Sequence, residues 1–180
     1  MQTIVNNFLS GLILIFSRTL HEGDVIDVGN LQGVVRKISV RATTVETFDN
    51  AIIFVPNSEF VSNRLINWTR NGRIVRREVA IGVAYGTDPK LVERLLVEVA
   101  QSVPQIVRRP QPFVLFMDFA DSTLNFVLRY WSDIGTATDA ASAIRHRIVE
   151  VFAEHQVEIA FPQLDVHVIP QTPSLTRAEG

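Results

Sequence analysis

The chain contains no cysteine. A disulfide framework and thiolate metal ligands are therefore excluded, and the composition suits a reducing compartment without proving one. Histidine is scarce: the four stand at 21, 146, 155 and 167. None of these pairs with another at metal-ligand spacing on one helix face, so no zinc site is expected, and no cofactor. An excess of positive charge is missing too. The net charge is −2, which argues against a nucleic-acid binder. Charge of either sign is nearly absent from the first twenty residues, where Arg18 stands alone. That stretch still lacks the length of a spanning segment. Phe8 to Phe16 is apolar except for Ser10 and Gly11, and Gln2, Asn6 and Asn7 interrupt its front, whereas a lone transmembrane helix needs about 20 apolar residues. It also lacks a secretory leader's basic start, since residues 1–7 hold no Lys or Arg, and "SRTLHEGD" is a poor cleavage site. Internal repeats and low-complexity stretches are not found.

Hydrophobic residues make up 47% of the 180, enough for the cores of one or two small domains. Read as a helix, residues 2–19 place Ile4, Phe8, Leu12, Ile15 and Phe16 on one stripe, with Asn6, Asn7, Ser10 and Gly11 mostly off it. At about 1.5 Å per residue such a helix is about 28 Å long. It would bury its apolar face in lipid headgroups or against copies of itself. A core helix of the same domain is the plain alternative.

Residues 24–56 read as four or five short strands. Turns are expected at Gly29-Asn30 and Asp49-Asn50. Between them Val34, Ile38 and Val40 alternate with Val35, Lys37 and Ser39, the period of a half-buried strand. One sheet this small is marginal alone and needs neighbours. In "PNSEFVSNRLINWTRNGR", Asn57 or Ser58 is expected to cap a short helix. The Asn71-Gly72 turn is taken as the boundary to a second domain.

That domain reads as strand 73–84, helix, strands 113–119 and 123–131, a helix over 137–155, and strand 163–169. Asp88 caps the first helix and Pro89 sits in its first turn. Its apolar face is Val92, Leu95, Leu96, Val99 and Val103; Ile144, Ile148, Val151 and Phe152 form that of the second. The order is that of a split βαβ unit. The fold class is therefore α+β: an N-terminal amphipathic helix (1–20), a small all-β domain (21–72), a ferredoxin-like domain (73–169) and a polar tail (170–180). Pro170 and Pro173 weigh against a further strand in that tail.

Four stretches carry a resemblance: "QTIVNNFLSGLILIFSRTLHEGDVIDVG", "GVVRKISVRATTVETFDNAIIFVPNSEF", "NRLINWTRNGRIVRREVAIGVAYGTD" and "LNFVLRYWS", with "FPQLDVHV" near the end. Together, in this order and spacing, they resemble the small-conductance mechanosensitive channel (MscS) family over residues 2 to about 169. The resemblance implies that residues 2–19 are the rear half of the third membrane helix. It lies at the cytosolic membrane surface, and the pore-lining half and two other helices are expected upstream. It also implies an Sm-like, barrel-like middle domain and a cytosolic vestibule of ferredoxin-like domains. The expected assembly is a homo-oligomer, a heptamer, at the cytoplasmic side of the inner membrane. It would open under tension on hypo-osmotic shock and release ions and small solutes. Phe8, Leu12, Ile15 and Phe16 would meet lipid or a neighbouring subunit. Coupling between helix and middle domain, and hence gating, would involve Thr3, Asn6, Asn7, Gly11, Pro56, Asn57 and Ser58. The family contact that is tied to inactivation joins the position of Asn7 to a Gly where this chain has Ser58. Thr3 likewise replaces a Gly at the bend.

Plain readings stand beside these. Asn6 and Asn7 could simply be solvated. Trp68 and Arg70 suit an interface anchor or local packing. Arg76, Arg77 and Arg129 suit a vestibule lining or a solvated sheet face. Trp131 is expected in the core. Asp118, Asp121 and Asp133 read as turn residues rather than a catalytic cluster, and no enzyme activity is expected. Two rival classes are a self-standing soluble oligomeric scaffold and a nucleic-acid-binding module, the second opposed by the acidic balance.

Overall fold

The computed structural model describes residues 2–164 and residue 166. Helix α1 (Gln2–Ser17) turns Asn7, Ser10, Gly11 and Leu14 inward, the i, i+3, i+4, i+7 spacing of a single face. Its apolar stripe stays outside: Ile4 is 66%, Phe8 50% and Phe16 81% exposed. The helix thus docks on its own domain by a narrow face of small and polar residues, which permit close approach. Leu14 alone enters the core from it. The chain leaves α1 through Arg18, which holds a left-handed φ of 51°.

Five strands follow: β1 (Val25–Val28), β2 (Leu31–Ile38), β3 (Ala42–Thr47), β4 (Ile52–Pro56) and, after helix α2 (Asn57–Ser62), β5 (Leu65–Asn67). They form one antiparallel sheet in the order β4-β3-β2-β1-β5. Both expected turns are present. Gly29 has φ 62° between β1 and β2, and Asn50 has φ 64° between β3 and β4, values suited to tight hairpins. The phase expected for β2 is corrected. Gly33 and Val35 face the interior, Val34 is half-buried, and Val40 lies beyond the strand and is exposed. A register shift between Val35 and Lys37 lets Val35 and Ile38, three residues apart, both reach the core. The core gathers Leu14, Leu20, Ile26, Val28, Val35, Val45, Val55 and Phe60.

The second unit runs β6 (Ile74–Val83), α3 (Pro89–Ser102), β7 (Phe113–Phe119), β8 (Leu124–Asp133), one 3₁₀ turn (Ile134–Thr136) and α4 (Ala137–Glu154). Asp88 caps α3 by accepting from the Lys90 N–H at 2.9 Å, with Pro89 in the first turn. Both helices cover one face of a sheet ordered β6-β8-β7. A core forms there from Val79, Val83, Leu95, Leu96, Phe126, Leu128, Tyr130, Ile144, Ile148 and Phe152, among others.

One expectation fails. Trp131 lies on the opposite face of β8, half-buried against Phe113 at 6.0 Å between ring centroids, and its neighbour Tyr130 is the core residue. The expected strand 163–169 is described only at residues 163, 164 and 166. Val157 is buried directly after α4, and the chain returns to β6 at once. The Glu158 carbonyl accepts from the Ala84 N–H and the Ala160 N–H donates to the Gly82 carbonyl, each at 3.0 Å, around an antiparallel bridge of Ile159 with Val83. Pro162 carries no N–H and cannot extend the ladder. Residues 163, 164 and 166 are not strand. The rest of that segment and the tail 170–180 lie outside the described residues.

Candidate functional site

The seat of α1 on the sheet is built around two asparagines. Asn57, the first residue of α2, is fully buried. Its Nδ2 donates to the carbonyls of Ser39 at 2.9 Å and Val40 at 3.1 Å, and its Oδ1 accepts from the Thr43 hydroxyl at 2.9 Å. Its backbone N–H donates to the Arg41 carbonyl at 3.2 Å. The side chain is spent on the 39–43 turn, so Asn57 does not cap its own helix; neither does Ser58. That role falls to Asn7 of α1, whose Oδ1 accepts from the Ser58 N–H at 3.0 Å while its Nδ2 donates to the Thr3 carbonyl at 3.0 Å. A donor orphaned at the start of α2 is therefore satisfied from another helix. Pro56, immediately before α2, is at its N-cap position with φ −55°.

Gly11 fits where no side chain fits. A Cβ there would lie 2.2 Å from the Val40 carbonyl oxygen and 2.5 Å from Asn57 Nδ2. The turn that Asn57 holds is thus the surface on which Gly11 rests. The structure brings together Thr3, Asn7, Gly11, Pro56, Asn57 and Ser58. Asn6 is exposed and does not join them. Phe8, Ile15 and Phe16 are exposed and Leu12 is half-buried.

A second node closes the other end of α1. Asp24 accepts from the His21 N–H at 2.8 Å, from Asn67 Nδ2 at 2.7 Å and from the Thr69 hydroxyl at 3.2 Å. Arg70 Nη1 donates to the Arg18 carbonyl at 2.7 Å and lies 3.1 Å from His21 Nδ1. Trp68 has its N–H on the Val25 carbonyl, and the Arg77 guanidinium lies 5.7 Å from its ring centroid, a cation–π geometry. Sequence reading singled out Trp68 and Arg70 but missed Asp24, Asn67 and Thr69. The signal was available: "EGD" and "INWTR" are polar clusters flanking β1 and β5, which pair.

The three arginines expected to share a lining are divided by the pleat. Arg76 and Arg129 project from the sheet face away from the helices, where Arg129 pairs with Glu78 at 3.3 Å, whereas Arg77 alternates to the helix side. The acidic residues are dispersed. Asp118 accepts from Asn125 at 2.8 Å, and Asp121 is exposed in the turn. Asp133 binds the Arg73 guanidinium at 3.0 Å and the Gly135 N–H at 2.7 Å. Hydrogen bonds from Arg73 and then from Gly135 hold the Asp133 carboxyl below its ordinary range. Burial pushes the Tyr130 phenol up. No group of three potential metal-ligating side chains is found among the described residues.

Residues 3–70 match the family model of the mechanosensitive ion channel β-domain, and residues 78–159 match that of the C-terminal domain of the mechanosensitive ion channel MscS. The chain is 43% identical over 169 residues to an uncharacterised MscS family protein of Haemophilus influenzae and 37% identical to the mechanosensitive channel MscK of Escherichia coli. Each match covers 93% of this chain and 15% of the relative. It is 30% identical to the small-conductance mechanosensitive channel of Edwardsiella ictaluri, over 93% of this chain and 58% of that protein. The chain thus spans a minor part of the first two relatives and little over half of the third. The crystal structure of Helicobacter pylori MscS in its closed state superposes with a TM-score of 0.85 at 27% identity, covering 94% of this chain and 67% of that one.

Proposed function

The chain belongs to the MscS family of mechanosensitive ion channels, and from that premise we propose that it forms the inner end of the pore and the solute-filtering chamber of a tension-gated channel. The observation that carries this reading is the double character of α1. One narrow face is hydrogen-bonded and close-packed onto its own sheet through Asn7 and Gly11. The remaining surface is uncharged and mainly apolar, with Ile4, Val5, Phe8, Leu9, Ile13 and Phe16 all exposed. Such a helix is stable where lipid or a sister subunit covers that surface.

No helix among the described residues is long and apolar enough to cross a membrane. The crossing segments are assigned to the parts of the longer relatives that this chain does not span. The sheet domain invites a ring. Its edge strand β4 exposes Ile52, Ile53 and Phe54, and a closed head-to-tail ring, here a heptamer, would cover such a surface on every copy. Under this reading α1 lies at the cytoplasmic membrane surface and moves with the pore. The second units wall a vestibule for ions and small solutes, with Arg76 and Arg129 as lining groups. Asn7, Gly11, Asn57 and Ser58 couple helix to cage. The family is one of channels, not enzymes.

The test is direct. The full-length protein, expressed in cells lacking other mechanosensitive channels, is expected to give suction-activated currents in excised membrane patches. Robust expression in the membrane with no such current would refute the reading.

A further inference from the structure

The junction between the two units carries an inference that rests on the channel reading but concerns a different part of the chain from the Asn7–Gly11 seat. Residues 67–70, at the end of β5, are zipped onto residues 18–25. Trp68 N–H meets the Val25 carbonyl at 2.9 Å, Val25 N–H meets the Thr69 hydroxyl at 3.0 Å, and Asp24 collects Asn67 and Thr69. Arg70 is the last link and the one that reaches α1 itself. Its guanidinium takes the carbonyl of Arg18, the residue whose left-handed backbone terminates the helix. A cation at a helix C-terminus is favoured by the orphan carbonyls and the dipole.

The chain then continues by fixed contacts. The Gly72 N–H donates to the Thr69 carbonyl at 3.1 Å, and Gly72 has φ 111°. Next, the Arg73 carbonyl accepts from the Ile134 N–H at 2.8 Å while the Arg73 side chain holds Asp133 at 3.0 Å. Asp133 ends β8 and its carboxylate turns the chain into α4 by accepting from Gly135. The C-terminus of α1 is therefore joined to the second unit by successive short links: Arg18 to Arg70, Thr69 to Gly72, and Arg73 to Asp133.

We propose that Arg70 is a positioning residue for gating, which ties the end of α1 to the segment 71–73 and so conveys movement between the pore helix and the second unit through the Arg73–Asp133 pair. On this proposal the clasp holds the closed arrangement and its loss favours opening.

Because spatial continuity alone does not establish coupling, the test is a double-mutant cycle in the full-length channel. Arg70→Ala, Asp133→Asn and their combination are compared with the unaltered protein in membrane patches, by suction threshold and unitary conductance. Arg70→Ala is expected to open at lower tension, the closed-to-open ratio at fixed tension falling roughly fivefold, with unitary conductance unchanged. Arg70→Lys, which keeps a cation but loses the planar fork, is expected to recover part of the shift. The double variant is expected to shift less than the sum of the two. A threshold unmoved in Arg70→Ala, or strictly additive shifts, overturns the inference while leaving the channel reading intact. Absence of tension-gated current from the unaltered protein removes the channel reading and this inference with it. If Arg70→Ala fails to assemble, the cycle is run on Arg70→Lys, and additivity there counts against the proposal equally.

Discussion

Asn7 Oδ1 on α1 accepts a hydrogen bond from the backbone N–H of Ser58 on α2 at 3.0 Å, across 51 positions of sequence. Because the donor is a main-chain group, Ser in place of the family Gly leaves the contact intact. The departure at Ser58 therefore does not by itself uncouple helix from sheet. Ser58→Gly is expected to leave the closing behaviour of the channel nearly unchanged. Asn7→Ala removes a cap from α2 and strands a half-buried N–H. It is expected to cost about 1 kcal/mol of stability, read by denaturant unfolding, and to change the rate at which current is lost under sustained suction.

Gly11 is constrained by backbone, not by a flexible side chain. A Cβ there meets the Val40 carbonyl at 2.2 Å, and the 39–40 turn cannot retreat while Asn57 holds both of its carbonyls. Gly11→Ala is expected to lift α1 from its seat at a cost of about 1–3 kcal/mol. Asn57→Asp loses both donated bonds and is expected to relieve part of that penalty when combined with Gly11→Ala. Thermal unfolding of the two single variants and the double variant checks this. A Gly11→Ala variant as stable as the parent would show that the seat is not close-packed.

Leu12 sits at the margin of the seat, half-buried beside the exposed Phe8 and Phe16. Leu12→Lys places a cation where lipid or a neighbour is proposed, and is expected to shift the tension threshold and alter inactivation in the full-length protein. Unchanged threshold and inactivation would remove the role assigned to this face.

Acid should act on the junction through Asp133. Its carboxyl is held below the usual range by Arg73 and by the Gly135 N–H. A group depressed in the folded state contributes stability above its unfolded value, near 3.9, and loses it as pH falls through the folded value. The pair is about half exposed, so solvent screening keeps the contribution small. Asp133→Asn is expected to lower the melting temperature slightly at neutral pH and to flatten its fall between about pH 5 and pH 3. A fall equally steep in both proteins would contradict the assignment.

What the residues reveal in advance depends on the range of the interaction. The cap at Asp88 with Pro89, the turns at Gly29 and Asn50, and the apolar faces of α3 and α4 are set by neighbours a few positions apart, and all were legible. The inward phase of β2 was not, because a register shift at Arg36 is a property of its pairing with β3. Asn57 looked like a helix cap because its residue type suits one, yet its Oδ1, the atom a cap would use, is taken by the Thr43 hydroxyl while its Nδ2 holds the carbonyls of Ser39 and Val40. Trp131 and Tyr130 are adjacent and both aromatic, so only the strand phase decides which is buried. The arginines at 76 and 77 are split for the same reason. Of the candidate site, the residues on α1 and around Pro56 were identifiable from motif resemblance. Thr43 became visible as a partner only when the sheet brought it to Asn57; Asp24, Asn67 and Thr69 lay in legible polar clusters, but which of them meet is set by the pairing of β1 with β5.

The central claim is that the apolar surface of α1 is covered by sister subunits or bilayer and not by its own domain. Native mass measurement of the purified chain in mild detergent, with and without residues 1–20, tests it most directly. The account predicts a sevenfold ring for the intact chain and weakened or lost assembly after truncation. A stable, detergent-free monomer that retains residues 1–20 would contradict it.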